Sequence, residues 1–338
     1  MGCKIIMTDL FNPDPNKFNS NYNNSNNQNN PNIPDNSIGS NFRRDAKNSK
    51  KIEYVVLVAF LVMMVLMYVR RTKNEEDVQA AANAQYQSIV CLSPAGAEIL
   101  SDLGAEGLIK ARTDFCDYPS RLKAIPSVGG FAGETLSVET ILSYKPDFVY
   151  GAKGMHDFLE APLKESGVTL FLSEASSIDA VYDEIITVGG YIGRTSEAET
   201  LVKNMKDSIS QITAAYNSSD KPAVYYEVWN TPYMSIGRKS FISDLILTAG
   251  GLNVFDDQNS DYPSVSEEAI IARDPKIILL PNMNGVTADD VKARTGWTNV
   301  SAVKSGKIYL IDADLYSRPG PRIVDAVAGL AKILHEEN

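Results

Sequence analysis

Residues whose side chains commonly act in catalysis or hold metals are scarce in this sequence. Its 338 residues include two histidines, His156 and His335, and three cysteines, Cys3, Cys91 and Cys116. Two histidines argue against a histidine-rich zinc or manganese site and against most histidine-dependent catalysis. Three cysteines exclude a disulfide scaffold and an iron–sulfur centre, and leave open one bridge between Cys91 and Cys116.

Sequence motifs for catalysis and nucleotide binding are also missing. The chain contains no GxSxG, no HExxH and no complete GxGxxG, and Gly237–Ser240 lacks the glycine spacing of a phosphate-binding loop. The net charge of -10 and the pI of about 4.9 argue against a nucleic-acid partner, which needs a basic surface. We therefore predict a protein that is not an enzyme and has no metal site or cofactor of its own.

The N-terminal part of the chain differs from the rest. Residues 1–50 are rich in asparagine and poor in apolar residues, which predicts a disordered tail. Tyr54–Val69 is uncharged and mostly apolar, and as a helix it would span about 24 Å of a bilayer core about 30 Å thick. Because basic pairs flank this run, we predict one transmembrane helix over residues 51–71.

Basic residues near this segment predict its orientation. More of them precede the segment than follow it, which favours a cytoplasmic N-terminus and an extracytoplasmic C-terminal domain. A cleaved signal peptide is the alternative, but the first small-residue site, at residues 82–84, lies far beyond the apolar run. We therefore predict a retained single-pass anchor in the cell membrane, followed by a polar stalk over residues 72–87.

The remaining residues alternate short β-rich runs with amphipathic patterns, which indicates parallel sheets covered by helices. The predicted strands are 88–93, 147–151, 168–173, 223–229, 276–281 and 307–312. A helix follows the first strand and ends at Gly104, another is marked by Ile178 to Ile192, and a last one starts at Pro321. This alternation predicts an α/β protein with two Rossmann-like lobes.

The longest periodic segment lies midway along this domain. Apolar residues recur at three- and four-residue steps from Ala198 to Tyr216, with Thr195 or Ser196 as the expected cap. We predict one long helix over residues 195–216 that joins a lobe at 88–194 to a lobe at 217–338.

The two halves contain similar segments. Residues 137–150, SVETILSYKPDFVY, and residues 266–279, SEEAIIARDPKIIL, share serine, glutamate, isoleucine and proline at matching positions. Each reads as a serine-capped helix, a turn at Lys-Pro or Asp-Pro, and a buried strand. The repeat predicts two equivalent lobes with a cleft between them.

Five segments in this order resemble a known family. IVCLSPAGAEIL, TDFCDYPS, IPSVGGF, SVETILSYKPDFVYG and YSRPGPRIVDA look like the class III substrate-binding proteins of ABC importers, most of all cobalamin receptors, with ferric-siderophore and haem receptors next. The resemblance covers about Ser88 to the C-terminus, and the tail and anchor lie outside it. It implies two lobes on one rigid helix, a ligand held between them, and delivery to an ABC permease dimer with its ATPase subunits.

A large flat ligand of this class needs aromatic walls and a few polar groups. The resemblance places contacts at Phe115, Tyr262, Asp314, Tyr316 and Arg318. Loops after the predicted strands add five further ligand-binding candidates, which are Asp117, Tyr118, Phe131, Trp229 and Tyr233. Trp229 is equally compatible with the continuation of a strand. The alternatives are that Arg318 pairs with Asp312 or Asp314 instead of the ligand, and that the aromatic residues belong to the core.

Three further residues have alternative interpretations. Glu139 and Glu268 occupy matching positions of the repeat, and the resemblance implies that one carboxylate per lobe docks onto permease arginines. The equal alternative is that each carboxylate interacts favourably with the N-terminus of its own helix. His156 could ligate the cobalt or iron of a bound ligand, but a lone surface histidine is the commoner case.

The favoured function is a membrane-anchored receptor for a corrinoid. A ferric-siderophore or haem receptor of the same fold is the alternative, a chelatase-like enzyme is a remote one, and a third is a membrane adhesin or scaffold whose tail recruits cytoplasmic partners.

Overall fold

The computed structural model describes residues 54–70, 85–131, 133–216 and 218–335. Residues 54–70 form a helix whose side chains are exposed. Within these ranges, no helix meets both the length and the apolarity that a membrane crossing requires. The predicted tail at 1–50 and residues 72–84 of the predicted stalk lie outside the described residues.

Residues 85–335, as far as the structure describes them, contain two four-stranded sheets, and all strand pairs within each of these two sheets are parallel. Their strands are β1 Ile89–Cys91, β2 Ile109–Arg112, β3 Phe148–Ala152, β4 Thr169–Ser173, β5 Ala223–Tyr226, β8 Leu252–Asn253, β9 Ile277–Pro281 and β10 Ile308–Ile311. The first sheet has the order β2-β1-β3-β4 and the second the order β10-β9-β5-β8. A separate antiparallel hairpin pairs β6 Trp229–Asn230 with β7 Tyr233–Met234.

Helices cover these sheets, as the alternating sequence pattern predicts. We call residues 85–194 the first half and residues 218–335 the second half. The first half contains α1 Pro94–Asp102, α2 Val138–Ser143, α3 Glu160–Glu165 and α4 Ile178–Tyr191. The second half contains α6 Phe241–Thr248, α7 Glu267–Arg273, α8 Ala288–Lys292, α9 Ser301–Ser305, α10 Ala313–Ser317 and α11 Ile323–His335.

Helix α5, Thr195–Ala215, connects the two halves. It packs against α4 of the first half and α11 of the second half, and it buries Ala198, Val202, Met205 and Ile209. The predicted cap is wrong, because Arg194 occupies the N-cap position and Thr195 is already helical. A 21-residue helix packed on both halves resists bending, since bending would break both contacts.

The sequence repeat forms matching structures. Ser137 caps α2 by accepting a hydrogen bond from the Thr140 amide at 3.2 Å, and Ser266 caps α7 in the same way. After each helix the chain turns at a left-handed residue, Lys145 with φ 51° and Asp274 with φ 43°. Each turn leads into a buried strand, β3 or β9, so the turn at Lys-Pro and Asp-Pro that the sequence predicts is present in both copies.

Candidate functional site

A cavity of about 1020 Å³ is lined by residues of both halves. The first half contributes loops after its strands, including Ser93, Phe115 and Ser173, and the second half contributes Tyr262 and Arg318. Such a volume suits a large organic ligand, and the mixture of aromatic and charged lining residues suits a ligand with a flat apolar body and a polar edge.

Five of the ten predicted ligand-binding residues line this cavity. Phe115 is 52% exposed and Tyr262 is 49% exposed, so both rings are accessible. The other three that line the cavity are Phe131, Asp314 and Arg318. The sequence therefore identifies aromatic walls on both halves, although ligand contact by each residue stays a prediction.

Asp117 and Tyr118 do not line the cavity, because both interact with arginines of the second half. An Asp117 carboxylate oxygen accepts hydrogen bonds from both terminal nitrogens of Arg318 at 3.2 Å. The Tyr118 ring lies 4.0 Å from the Arg322 guanidinium. These two loop residues thus link the halves to each other.

Trp229, Tyr233 and Tyr316 also lie outside the lining. Trp229 is in the β6–β7 hairpin and its indole N–H donates to the Thr231 carbonyl at 2.9 Å. Tyr233 packs 6.0 Å from Trp297, ring centre to ring centre. Tyr316 is buried at 6% exposure among core residues, which is the alternative that the sequence left open.

Helix α1 begins at the cavity because of two small residues. The Ser93 hydroxyl caps the helix by accepting from the Gly96 amide at 3.1 Å. A Cβ at position 96 would lie 2.7 Å from the Tyr150 ring, so only glycine allows α1 to approach β3 this closely. This approach keeps Ser93, Pro94 and Ala95 at the cavity wall.

His156 is buried at 0% exposure, so the prediction of a surface histidine is wrong. Its Nδ1 accepts from the Ala152 amide at 2.9 Å, and its Nε2 therefore donates to the Phe131 carbonyl at 3.0 Å. Burial lowers its pKa, although both backbone hydrogen bonds act in the opposite direction. With both nitrogens engaged, His156 positions Phe131 and is not free to ligate iron or cobalt.

A turn that requires glycine holds Phe131 at the wall. Gly129 has φ 121°, and a Cβ there would lie 2.1 Å from the Thr135 carbonyl oxygen. The Phe131 ring packs edge-on against Phe115 at 5.6 Å and against His156 at 5.6 Å. Gly129 and His156 together therefore fix an aromatic pair on the first half.

The cavity wall of the second half depends on one close backbone approach. A Cβ at Gly237 would lie 2.1 Å from the Ser260 carbonyl oxygen, so glycine is required there. The Gly237 amide donates to the Asp261 carbonyl at 2.9 Å. This contact joins the segment carrying Arg238 and Lys239 to the segment carrying Tyr262, and it gives Gly237–Ser240 a structural role.

A buried carboxyl group lies behind the cavity wall in the first half. Glu184 is 7% exposed and accepts hydrogen bonds from the Tyr150 hydroxyl at 2.5 Å and the Ser173 hydroxyl at 2.8 Å. Burial raises its pKa, and these two hydrogen bonds only partly offset the rise. We call Glu184, Tyr150 and Ser173 the Glu184 cluster. Because Ser173 lines the cavity, the hydrogen bonds of this cluster support the cavity wall, and both partners of Glu184 are uncharged hydroxyl groups.

A second buried carboxyl group, Glu98, binds arginines of the other half. Arg322 donates to both Glu98 oxygens at 2.9 and 2.6 Å, and Arg318 approaches one of them at 3.3 Å. Arg318 also meets Asp314 at 2.8 Å. We call Glu98, Asp117, Asp314, Arg318 and Arg322 the Glu98 cluster. Sequence reasoning missed Glu98, since its partners lie 220 and 224 positions away along the chain.

The charges of the cavity lining balance. Four cationic and four acidic residues line it, which are Lys153, Arg238, Lys239 and Arg318, and Glu174, Asp244, Asp261 and Asp314. Asp244 also accepts from the Ile178 amide at the start of α4 at 2.7 Å, which is another contact between the halves. The described lining therefore has no net charge.

Cys91 and Cys116 are buried, free thiols. The Cys116 thiol donates to the Cys91 carbonyl at 3.4 Å. Burial raises the pKa of Cys91, which disfavours the thiolate that metal ligation needs. Across the described residues, no group of three or more His, Cys, Asp and Glu side chains is arranged to hold a metal ion.

The two candidate docking carboxylates occupy equivalent places. Glu139 and Glu268 are both exposed near the start of α2 and α7. Glu139 accepts from the Ser137 hydroxyl at 2.6 Å, which lowers its pKa. The neighbouring Glu267 accepts a hydrogen bond from the Trp297 indole N–H at 2.7 Å. Glu268, which matches Glu139 in the repeat, is exposed at the surface.

Comparison with known proteins gives consistent matches. Residues 89–315 match the periplasmic binding protein family. An uncharacterized ABC transporter substrate-binding lipoprotein of Bacillus subtilis is 30% identical over 259 residues, which is 74% of this chain and 81% of that protein. A cobalamin-binding protein of Halobacterium salinarum is 28% identical over 267 residues, 75% of this chain and 70% of that protein.

Solved structures share the fold. A possible iron-binding, periplasmic solute-binding protein of Staphylococcus epidermidis superposes with a TM-score of 0.68 at 28% identity, over 75% of this chain and 100% of that one. With this match, the two parallel sheets have the class III periplasmic binding protein architecture that the resemblance predicts.

Proposed function

The chain belongs to the periplasmic binding protein family, and we propose that it captures a corrinoid in the cavity between its two halves. It is a substrate-binding protein of the ABC transporter type, and such proteins bind small molecules and deliver them to a permease without altering them. Its substrate-binding domain is extracytoplasmic.

The balanced charge of the cavity lining is the observation that favours a corrinoid over haem and anionic siderophores. A corrinoid offers a flat apolar ring edged with neutral amides, whereas haem carries two carboxylates and many ferric siderophores are anionic. A lining with four cations and four carboxylates suits an amide edge, because amides both donate and accept hydrogen bonds. The aromatic residues Phe115, Phe131 and Tyr262 suit the ring faces.

The unavailability of His156 supports the same choice. Its two ring nitrogens are already hydrogen-bonded to backbone groups, so it offers no lone pair to haem iron. The relatives include a cobalamin-binding protein, which agrees with a corrinoid, and a possible iron-binding protein, which keeps a ferric-siderophore ligand as the alternative outcome.

A competition among ligands tests the proposal. The purified chain, in detergent, is titrated with cyanocobalamin, haemin and a ferric hydroxamate siderophore in a calorimeter. We expect one corrinoid per chain with a dissociation constant in or below the micromolar range. Tighter binding of haemin or of the siderophore would reassign the ligand, and no binding of any of the three would reject this ligand class.

We further propose that Glu139 and Glu268 dock onto the permease. Their support is the repeat, which places one exposed carboxylate near the start of a short helix in each half. In a Glu139→Arg, Glu268→Arg variant, cobalamin binding should persist while stimulation of the partner transporter's ATPase is lost. A Glu165→Arg, Glu199→Arg variant, changed at two exposed positions elsewhere, is the control. Unchanged stimulation in the first variant would refute the docking role.

Membrane anchoring by residues 51–71 also remains our proposal, supported by the apolar run and its basic flanks in the sequence. If it is correct, the full chain stays with membranes after alkaline carbonate washing, and release into the supernatant would reject it. The lobe bounds 88–194 and 217–338, the connecting segment 195–216, and the tail and stalk remain predictions from the sequence.

A further inference from the structure

Arg318 is the only member of the Glu98 cluster besides Asp314 that lines the cavity, among the residues that the structure describes. Its side chain is 9% exposed and lies between three carboxylates, at 3.3 Å from Glu98, 3.2 Å from Asp117 and 2.8 Å from Asp314. A guanidinium group at a cavity wall commonly binds a ligand carboxylate through charge-assisted hydrogen bonds. Here its donors are already directed at acidic side chains of the protein itself.

The cluster as a whole is not cationic. Arg318 and Arg322 face Glu98, Asp117 and Asp314, and Lys123 adds a weaker contact to Asp117 at 3.6 Å. Glu98 is the member that both arginines share, and it is 2% exposed. A ligand carboxylate at this wall would therefore meet carboxylates as well as Arg318, whereas a ligand amide would meet no such repulsion.

We propose that Glu98, which does not itself line the cavity, determines ligand specificity by holding Arg318 and cancelling its charge, so that this wall selects ligands with a neutral edge over ligands with a carboxylate there. This inference rests on the proposed corrinoid function. Glu98 is a positioning residue, since it acts on the ligand through Arg318. Asp117 and Asp314 act in the same direction from more exposed positions.

The test uses two kinds of ligand that differ by one charge. They are cyanocobalamin and its monocarboxylate isomers, in which one peripheral amide is hydrolysed to a carboxylate. For the isomer whose changed group faces Arg318, the native chain should bind the amide form about tenfold more tightly. In Glu98→Gln this preference should fall by about tenfold, because the shape is kept while one negative charge is lost.

A purely structural role for Glu98 gives a different result. Both ligands would then lose affinity by the same factor, and the ratio of their dissociation constants would not change. That outcome overturns the proposal. The proposal is also overturned if the native chain binds every monocarboxylate isomer as tightly as cyanocobalamin.

A second variant keeps the test decisive if Glu98→Gln does not fold. Asp314 is 58% exposed, so Asp314→Asn removes a carboxylate from Arg318 with little effect on packing. Its amide preference should fall by about threefold, and an unchanged ratio would refute the proposal. Asp289→Asn, at a 91% exposed side chain on α8, is the matched control and should keep the native ratio.

The two proposals fail in different ways. If the native chain binds neither cyanocobalamin nor any monocarboxylate, the corrinoid function is rejected and the Glu98 inference falls with it. If the native chain binds cyanocobalamin but the variants leave the ratio unchanged, only the role of Glu98 is rejected.

Discussion

Two glutamates lie behind the cavity wall, and both are almost fully buried, yet their surroundings are opposite. Glu98 faces two guanidinium groups from the other half of the molecule. Glu184 faces two hydroxyl groups, of Tyr150 and Ser173, from its own half. Burial removes water from both carboxyl groups, so each depends on its protein partners for hydrogen bonds.

The difference assigns each cluster a different role. In the Glu98 cluster, burial lowers the Arg322 pKa, but the hydrogen bond and charge of Glu98 outweigh that effect and raise it. In the Glu184 cluster, burial raises the Glu184 pKa, and the hydrogen bonds from Tyr150 and Ser173 offset only part of that rise. The Glu98 cluster is an ion-pair link between the halves, and the Glu184 cluster is a hydrogen-bonded support within one half.

Removal of Glu98 should give the largest effect on stability. Glu98→Ala leaves Arg318 and Arg322 with side chains only 9% and 16% exposed and without their shared anion. We expect the free energy of unfolding to fall by about 3–5 kcal/mol, because breaking a buried ion pair leaves an uncompensated charge. Urea denaturation followed by circular dichroism measures it. A loss below about 1 kcal/mol would contradict the contrast between the clusters.

Glu184→Gln should behave in the opposite way. A raised pKa in the folded state means that Glu184 stabilises the fold most below the ordinary glutamate pKa, and that this contribution is lost as the pH rises through the raised pKa. Glutamine imitates the protonated acid at every pH. The variant should therefore gain stability relative to the native chain, on the order of 1 kcal/mol, as the pH rises above the ordinary glutamate pKa.

Urea denaturation at each pH measures this difference, and Glu165→Gln, at an exposed position, is the control that should show no trend. A difference that stays flat with pH would mean that Glu184 is ionised at no cost, and the contrast with Glu98 would disappear.

Local patterns in the sequence predict the parts of the fold that depend on local interactions. Both serine-capped helices of the repeat and the strands after them are present, because caps, turns and buried strands depend on neighbours within about ten residues. The very short strand β8 was not predicted, since its two residues carry no readable periodicity.

The polar contacts between the two halves beside the cavity could not be predicted from local sequence patterns. Glu98 is in the apolar segment AGAEIL, where nothing marks it as the partner of arginines more than two hundred residues later. The sequence predicts Asp117 and Tyr118 in a loop, where the structure has them, but their side chains contact Arg318 and Arg322 and do not line the cavity. Contacts across the halves depend on the assembled fold, which local spacing does not encode.

His156 supports the wall with uncharged hydrogen bonds, as the Glu184 cluster does, and should give the smallest effect. His156→Ala removes the donor to the Phe131 carbonyl and the ring beside Phe131. We expect cyanocobalamin affinity to fall by about threefold to tenfold, the range for one lost hydrogen bond. His335→Ala is the matched control, because that histidine bonds the Ala249 carbonyl and does not line the cavity.

The pH dependence distinguishes a supporting role of His156 from simple loss of packing. Burial lowers the His156 pKa, so its support is present above the ordinary histidine pKa and is lost as the pH falls through the lowered value. A protonated ring would direct an Nδ1–H at the Ala152 amide, which is itself a donor. Native affinity should therefore fall in acid while His156→Ala changes less, and parallel pH profiles would show that Phe131 does not depend on this histidine.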